Sequence, residues 1–183
     1  GSGIASWIKN NTKDTKRKTL MVLVGKGKNG SDGLIAASQL SKTFKKVTIV
    51  MPLNRSEDLY SKALNNTGIE IIKVVNKKDL EKFKLVLNET DILIDAILGM
   101  GITRTIGPPL NEIIRLVNTS RSKIFSIDMP SGIDPDSGTP QPAPGFAQIG
   151  HFSSDAHRSL LTGLPPIMTR PSQDRLGSRH RGK

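Results

Sequence analysis

The feature that most constrains the fold of this chain is a regular alternation of short apolar runs with amphipathic segments. Five runs have the length and β-branched content of strands, namely Thr19 to Val24, Lys46 to Met51, Ile69 to Val75, Asp91 to Leu98 and Lys123 to Met129. Four segments between them have helical spacing, namely Leu34 to Phe44, Ser56 to Leu64, Lys78 to Leu87 and Leu110 to Val117. The pattern therefore predicts repeated β-α-β units.

Such units connect parallel strands through right-handed crossovers, which place helices against the sheet. We therefore expect an α/β fold with three layers, a Rossmann-like parallel sheet covered by helices on both faces. Ile4, Trp7 and Ile8 are apolar at helical spacing ahead of the first strand and indicate a further helix. Ligands of such sheets bind at the carboxyl ends of the strands.

The composition of the chain changes near Pro140. Residues 1–140 are rich in Lys, Asn and Ile and carry a net charge of +7, whereas residues 141–183 use Arg in place of Lys, hold all three histidines and carry +4. The second part has no sustained period of a strand or a helix. We expect an α/β domain over residues 1–140 and a divergent, poorly ordered basic tail over 141–183 that adds nothing to the sheet.

Several classes of protein are excluded by residue content. The 183 residues include no cysteine, which excludes disulfides and thiolate metal sites. No uncharged apolar stretch reaches the length of about 18 residues that a membrane span needs. The chain is predicted to be cytoplasmic, with no membrane contact.

The loop after the first predicted strand reads GKGKNGSDG, residues 25–33. Its glycines match the dinucleotide fingerprint, which brings phosphate to a helix N-terminus. The usual acid about 20 residues further on is absent, because the second strand continues as Met51, Pro52, Leu53 and Asn54. This counts against an ordinary nicotinamide or S-adenosylmethionine Rossmann enzyme. Asp32 is expected to act as the N-cap of a helix that begins at Gly33.

Two acids stand at strand ends on the same predicted edge. Asp95 interrupts an apolar run, so it should meet a cation, a network of donors or a ligand. Oxygen ligands from Asn29, Asp95 and Ser131 would suit an alkali or alkaline-earth cation. Asp128 would then be free to act as an acid or base at a small substrate.

Three motifs together resemble the NAD(P)H-hydrate epimerase family, the YjeF N-terminal domain. The family pattern runs GPGNNGGDG, DAxxGTGLxRxxxGP and DxPSGxDxxxG, and this chain has GKGKNGSDG, DAILGMGITRTIGPP and DMPSGIDPDSG in the same order and at matching spacing. The similarity covers approximately Ile4 to Gly138. Three ordered matches are far more specific than any single one.

The resemblance implies an isomerase that interconverts the R and S epimers of hydrated NADH and NADPH. It implies Asp128 as the catalytic acid or base and one potassium ion per subunit, bound by Asn29, Asp95 and Ser131. It also implies a homodimer and a functional link to an NAD(P)H-hydrate dehydratase. The residues implied to bind the hydrate are Lys28, Asn29, Gly30, Ser31, Asp32, Gly99, Met100, Gly101, Ile102, Thr103, Arg104, Thr105 and Asp128.

The chain departs from the family pattern at specific places. Lys28 replaces the first Asn of the paired Asn, and Ser31 replaces a Gly. The later strands of the family have no counterpart in residues 141–183, and only the end of its first helix matches residues 3–9. The domain is therefore expected to be incomplete at both ends.

A different class of function stays open on the same residues. Related domains act as catalytically silent scaffolds or as modules that bind RNA or protein, and a net charge of +11 permits an RNA partner. Arg residues scattered without aromatic neighbours are weak support for nucleic acid, however. The combination of Asn29, Asp95, Asp128 and Ser131 favours the enzyme, because a scaffold has no need of it.

Overall fold

The computed structural model describes residues 2–53, 64–65, 67–99 and 107–133, together with the backbone of residues 168–169. The predicted helix over Ser56 to Leu64 lies outside these residues, apart from Leu64. Most of the predicted tail also lies outside them.

Six strands of the described residues form one sheet. They are β1 (Thr19–Val24), β2 (Lys46–Met51), β3 (Glu70–Lys73), β4 (Ile92–Ala96), β5 (Lys123–Ser126) and β6 (Met168–Thr169). The strands from β1 to β5 match the five predicted runs, although β3, β4 and β5 are shorter than predicted because their ends turn into loops.

The sheet has the order β3-β2-β1-β4-β5-β6. The strands β1 to β5 are parallel to one another, which confirms the predicted parallel sheet. β6 pairs antiparallel with β5, where Phe125 lies opposite Met168. The expectation that the tail adds nothing to the sheet is therefore wrong for these two residues.

Helices cover both faces of the sheet, as predicted for a three-layer fold. They are α1 (Ser2–Asn11), α2 (Lys28–Leu40), α3 (Lys77–Asn88) and α4 (Leu110–Thr119). Asn76 caps α3, since its side chain accepts a hydrogen bond from the Asp79 main chain at 3.0 Å. Within the described residues, no helix is long and apolar enough to cross a membrane.

Alternate residues of the strands supply two separate cores. Leu20, Val22 and Val24 of β1 pack with α1 and α2, while Met21 and Leu23 pack with α3 and α4. The side chains of β1 point to opposite faces in turn, and both faces are covered, so nearly the whole strand is apolar. Burial of each such side chain contributes roughly 1.5–3 kcal/mol.

Because the strands are parallel, their ends define two different edges. The carboxyl edge holds the segments that follow β1, β4 and β5, and the amino edge holds those that precede the strands. The three motifs singled out in the sequence all begin at the carboxyl edge. The topology thus brings them together, as it does the ligand sites of other open parallel sheets.

Candidate active site

The segment after β1 enters a helix earlier than the sequence suggests. α2 begins at Lys28, with Gly27 as its N-cap, and the Ser31 main chain donates to Gly27 O at 3.2 Å. Asp32 is consequently a residue of the first turns of α2, and its predicted role as an N-cap is wrong. The preference of Asp for N-caps was outweighed because Gly27 already takes the extended conformation that precedes a helix.

Gly25 brings the segment after β1 against the segment after β4. Its main chain donates to Ala96 O at 3.0 Å, and a Cβ at this position would lie 1.8 Å from Ile97 O. Any side chain would therefore separate the two segments. This glycine serves a close approach between two main chains.

Asp95, at the end of β4, is fully buried and lies at the centre of a network of donors. Ser131 donates to it twice, from its main chain at 2.7 Å and from Oγ at 2.6 Å. The main chain of Ile97 donates at 3.2 Å, and Oγ of Ser126 donates at 3.3 Å. The sequence left a cation, a network of donors or a ligand as possible partners of Asp95, and the structure shows a network of hydrogen-bond donors.

Burial raises the pKa of Asp95, because desolvation disfavours the charged form. The hydrogen bonds from Ser131, Ile97 and Ser126 act in the opposite direction. A neighbouring cation would also favour the ionised carboxylate.

The side chain of Asn29 connects the three segments of the carboxyl edge. Its Nδ2 donates to Leu98 O at 2.8 Å and to Ile127 O at 3.2 Å. The main chain of Leu98 in turn donates to Ser131 Oγ at 3.0 Å. One series of hydrogen bonds therefore runs from Asn29 through Leu98 and Ser131 to Asp95.

Asp128 lies immediately after this network, in a strained turn. Its φ is 67°, and the Met129 main chain donates to Ile127 O at 2.8 Å across it. A hydrogen bond from residue i+2 to residue i around a positive φ is the arrangement of a γ-turn, which is rare for a residue other than glycine. Such backbone strain is frequent where a side chain must be held for function.

The absence of a side chain at Gly99 leaves room for the Asp128 carboxylate. A Cβ on Gly99 would lie 3.0 Å from Asp128 Oδ2 and 3.7 Å from the Asn29 Cβ. The Asp128 side chain is exposed, whereas Asp95 is buried. The carboxyl edge thus carries one carboxylate buried in a network of hydrogen bonds and one that is exposed to solvent.

The structure brings the predicted residues Asn29, Gly99, Asp95, Asp128 and Ser131 into one region. Lys28 is exposed at the first residue of α2, which also contains Gly30, Ser31 and Asp32. The predicted contacts of Met100, Gly101, Ile102, Thr103, Arg104 and Thr105 lie outside the described residues.

Sequence reasoning missed two parts of this site. One is Ser126, which lies opposite Asp95 in the register of β4 and β5. A reading of the strand register would have found it. The other is the pair of main-chain carbonyls of Leu98 and Ile127, which no residue type in the sequence indicates.

Comparison with known proteins bears on this arrangement. Residues 1–150 match the family described as YjeF-related protein N-terminus. The crystal structure of yeast ynu0 superposes with a TM-score of 0.64 at 26% identity, covering 76% of this chain and 62% of that one.

Two curated relatives illustrate the similarity in sequence. An NAD(P)H-hydrate epimerase of Lentilactobacillus buchneri is 35% identical over 129 residues, which are 69% of this chain and 57% of the relative. A bifunctional NAD(P)H-hydrate repair enzyme Nnr of Dictyoglomus turgidum is 34% identical over 140 residues, which are 75% of this chain and 26% of the relative. The chain thus spans only part of the length of these proteins.

Proposed function

The chain belongs to the family described as YjeF-related protein N-terminus, and from that premise we propose that it interconverts the R and S epimers of hydrated NADH and NADPH. The observation that supports this proposal most strongly is the position of Asp128. Its carboxylate is exposed at the carboxyl edge, next to Gly99 and within the segment that Asn29 holds. The relatives named as epimerases support the choice of reaction.

Asp128 would move the proton in this reaction. Epimerisation at a hydrated carbon requires that carbon to become planar and then to form its bond to oxygen again from the other face. A carboxyl group can protonate the departing hydroxyl, so that it leaves as water, and can accept the proton when water adds again. One residue thus serves both directions, and general acid–base catalysis of this kind contributes about 10²–10⁴-fold in rate.

The phosphates of the hydrate would bind at the N-terminus of α2. The free main-chain N–H groups of a helix N-terminus attract anions, and exposed Lys28 adds a positive charge there. Arg104 is proposed to neutralise phosphate from the segment after β4. Lys28 to Asp32 and Gly99 to Thr105 would together line the substrate.

Potassium is proposed to bind at Asn29, Asp95 and Ser131, where it would add a positive charge beside the substrate. The residues offer the oxygen atoms that such a cation prefers. The carbonyl oxygens of Leu98 and Ile127 both lie at the Asn29 side chain, and the same hydrogen-bond network continues to the buried carboxylate of Asp95. No three His, Cys, Asp or Glu side chains gather in the described part of the chain. Such a site would use amide and main-chain oxygens besides Asp95, which suits a hard cation.

Binding of potassium can be measured apart from activity. Thermal unfolding is followed in potassium, sodium and choline chloride at one ionic strength, and potassium should raise the midpoint because a ligand of the native state stabilises it. The Asn29→Ala variant should lose this difference. Equal midpoints in the three salts would remove the cation from the proposal.

The relatives called bifunctional repair enzymes support a functional link to a dehydratase that consumes one epimer. The reaction is therefore tested by coupling. Racemic NADH hydrate is supplied with a dehydratase specific for the S epimer. Addition of the protein should increase the rate at which the R epimer is consumed. The Asp128→Asn variant should lose this acceleration by about 10²-fold or more while it remains folded.

A matched control is available at the opposite edge of the sheet. Asp14 is an exposed aspartate that also has a positive φ, of 55°. Asp14→Asn changes the charge by the same amount and should leave the rate unchanged. An R epimer that persists with the unaltered protein, in potassium as well as in choline, would refute the proposed activity.

A further inference from the structure

The amino edge of the sheet carries a concentration of positive charge for which the proposed reaction has no use. Residues 13–18 precede β1, and residues 42–46 lead into β2 and include its first residue, Lys46. Together these two segments hold seven basic side chains and one acid, a net charge of +6. The basic residues are Lys13, Lys16, Arg17, Lys18, Lys42, Lys45 and Lys46.

Hydrogen bonds join the two segments into one surface, which we call the basic edge. The Lys45 main chain donates to Lys18 O at 2.9 Å and to Thr15 O at 3.3 Å. The Lys16 side chain donates to Lys42 O. The basic side chains are therefore presented by a fixed backbone and not by two independent loops.

Neighbouring acids reduce this charge only in part. Glu89 and Asp91 in the adjoining turn lower the sum to +4, and Asp91 already accepts two hydrogen bonds from Thr19. Lys46 pairs with Glu70 at 3.0 Å.

Five other cations of the basic edge remain available to a partner. Within the part of the chain that the structure describes, the side chains of Lys13, Arg17, Lys18, Lys42 and Lys45 have no ion pair. Four of these side chains are exposed, and that of Lys18 is half-buried.

The chemistry of the basic edge identifies its partner. The large apolar side chains that are exposed in the described residues are Ile35, Val75 and Leu85, and none belongs to these two segments. Phe44 is buried. The surface thus has nothing to insert into a membrane and no aromatic ring on which a base could stack.

What the basic edge offers is a fixed array of cations, which matches regularly spaced phosphates. We infer that the basic edge binds the phosphate backbone of double-stranded nucleic acid without reading its sequence. Because strands of five or six residues separate the two edges by about 20 Å, a duplex on the basic edge leaves the candidate active site open. The two functions are independent.

The test compares two triple variants of the full chain with equal changes in charge. The edge variant is Lys13→Glu, Arg17→Glu and Lys45→Glu. The control is Lys77→Glu, Lys78→Glu and Arg115→Glu, which alters exposed residues of α3 and α4. Binding of mixed-sequence RNA and DNA duplexes is followed by fluorescence anisotropy over a range of salt concentrations, and vesicles containing phosphatidylserine are assayed in parallel.

The affinity of the edge variant for duplex should be lower by about tenfold or more. The slope of log K against log salt should also become less steep by about 2–3, since each phosphate contact contributes about 0.9 to it. The control should change the affinity much less, and epimerase activity should persist in both variants. Comparison of the RNA and DNA arms shows which duplex is preferred. The inference fails if both variants lose affinity equally, if the unaltered protein binds no duplex, or if it binds only the vesicles.

Discussion

The two ends of β4 carry the same arrangement of hydrogen bonds in opposite surroundings. At the amino edge, exposed Asp91 accepts from the main chain and the hydroxyl of Thr19, at 2.8 and 3.0 Å. At the carboxyl edge, fully buried Asp95 accepts from the main chain and the hydroxyl of Ser131, at 2.7 and 2.6 Å. In both cases one aspartate holds a neighbouring segment, but only at the carboxyl edge is water excluded.

The consequence of this difference is energetic. Water can replace a partner lost at an exposed hydrogen bond, whereas a buried donor left without a partner costs its full desolvation free energy. The carboxyl edge should therefore tolerate little change in its polar residues. The amino edge should tolerate much more, although its hydrogen bonds have a similar geometry.

The largest effect is expected from Asp95→Ala. This change leaves the donors of Ser131, Ser126 and Ile97 without their acceptor in a buried place, and it should lower the free energy of unfolding by about 3 kcal/mol or more. Asp91→Ala removes two of the same kinds of hydrogen bond where water is available, and should cost about 1 kcal/mol. Urea denaturation of both variants measures the two losses.

Equal losses in the two variants would show that burial does not control these interactions. If the Asp95→Ala variant is too unstable to purify, its free energy of unfolding cannot be measured. Ser126→Ala replaces it in the comparison, because this change removes a single hydrogen-bond donor from the same carboxylate. It should lower the free energy of unfolding by about 1 kcal/mol.

A smaller effect is expected from the two aspartates with positive φ. Asp128 has a φ of 67° in a γ-turn at the carboxyl edge, and Asp14 has a φ of 55° and a ψ of 36° at the amino edge. The left-handed helical region of Asp14 is one that Asp adopts with little strain, while a γ-turn is costly for any side chain. Replacement by glycine should therefore relieve more strain at Asp128.

Asp128→Gly should raise the free energy of unfolding by about 1 kcal/mol, since relief of roughly 1–3 kcal/mol of strain exceeds the entropy cost of glycine. It should also abolish epimerisation. Asp14→Gly should change stability by less than about 0.5 kcal/mol and leave activity intact. If Asp128→Gly destabilises the protein as much as Asp14→Gly or more, the turn is not strained.

The sequence predicted the sheet well because a parallel sheet leaves a strong local signal. The apolar runs of β1 and β4 are buried on both faces, so nearly every residue in them reports the fold. The positions of Asn29, Asp95, Asp128 and Ser131 at one edge followed from the same topology. Their placement needed only the assignment of strands and loops.

Details that depend on main-chain geometry were beyond the sequence. The start of α2 at Lys28 depends on the conformation of Gly27, and the favourable capping properties of Asp32 suggested a later start. Main-chain carbonyls occur in every residue type, so the sequence does not indicate that those of Leu98 and Ile127 both accept hydrogen bonds from Asn29. The two-residue strand β6 is too short for any periodicity to show.

The smallest effect concerns a half-buried carboxylate where β3 begins, at Glu70. Glu70 receives Lys82 at 2.9 Å and Lys46 at 3.0 Å. Hydrogen bonds from Lys82 and then from Lys46 lower the pKa of Glu70 below its ordinary value of 4.5. Both lysines are more than half exposed, so solvent screens these pairs and their contribution to stability is small.

Because the pKa of Glu70 is lower in the folded protein, its stabilising contribution is full above pH 4.5 and is lost as the pH falls through the lowered value. Glu70→Gln should therefore reduce the free energy of unfolding by about 0.5 kcal/mol at neutral pH and by almost nothing in acid. Glu81→Gln, which breaks a single exposed pair with Lys84, should have an effect no larger. Urea denaturation at both pH values, repeated in high salt, measures these differences. A loss at Glu70 that persisted in acid and in salt would mean that this interaction resembles the buried ones at Asp95, and that exposure alone does not separate the two edges.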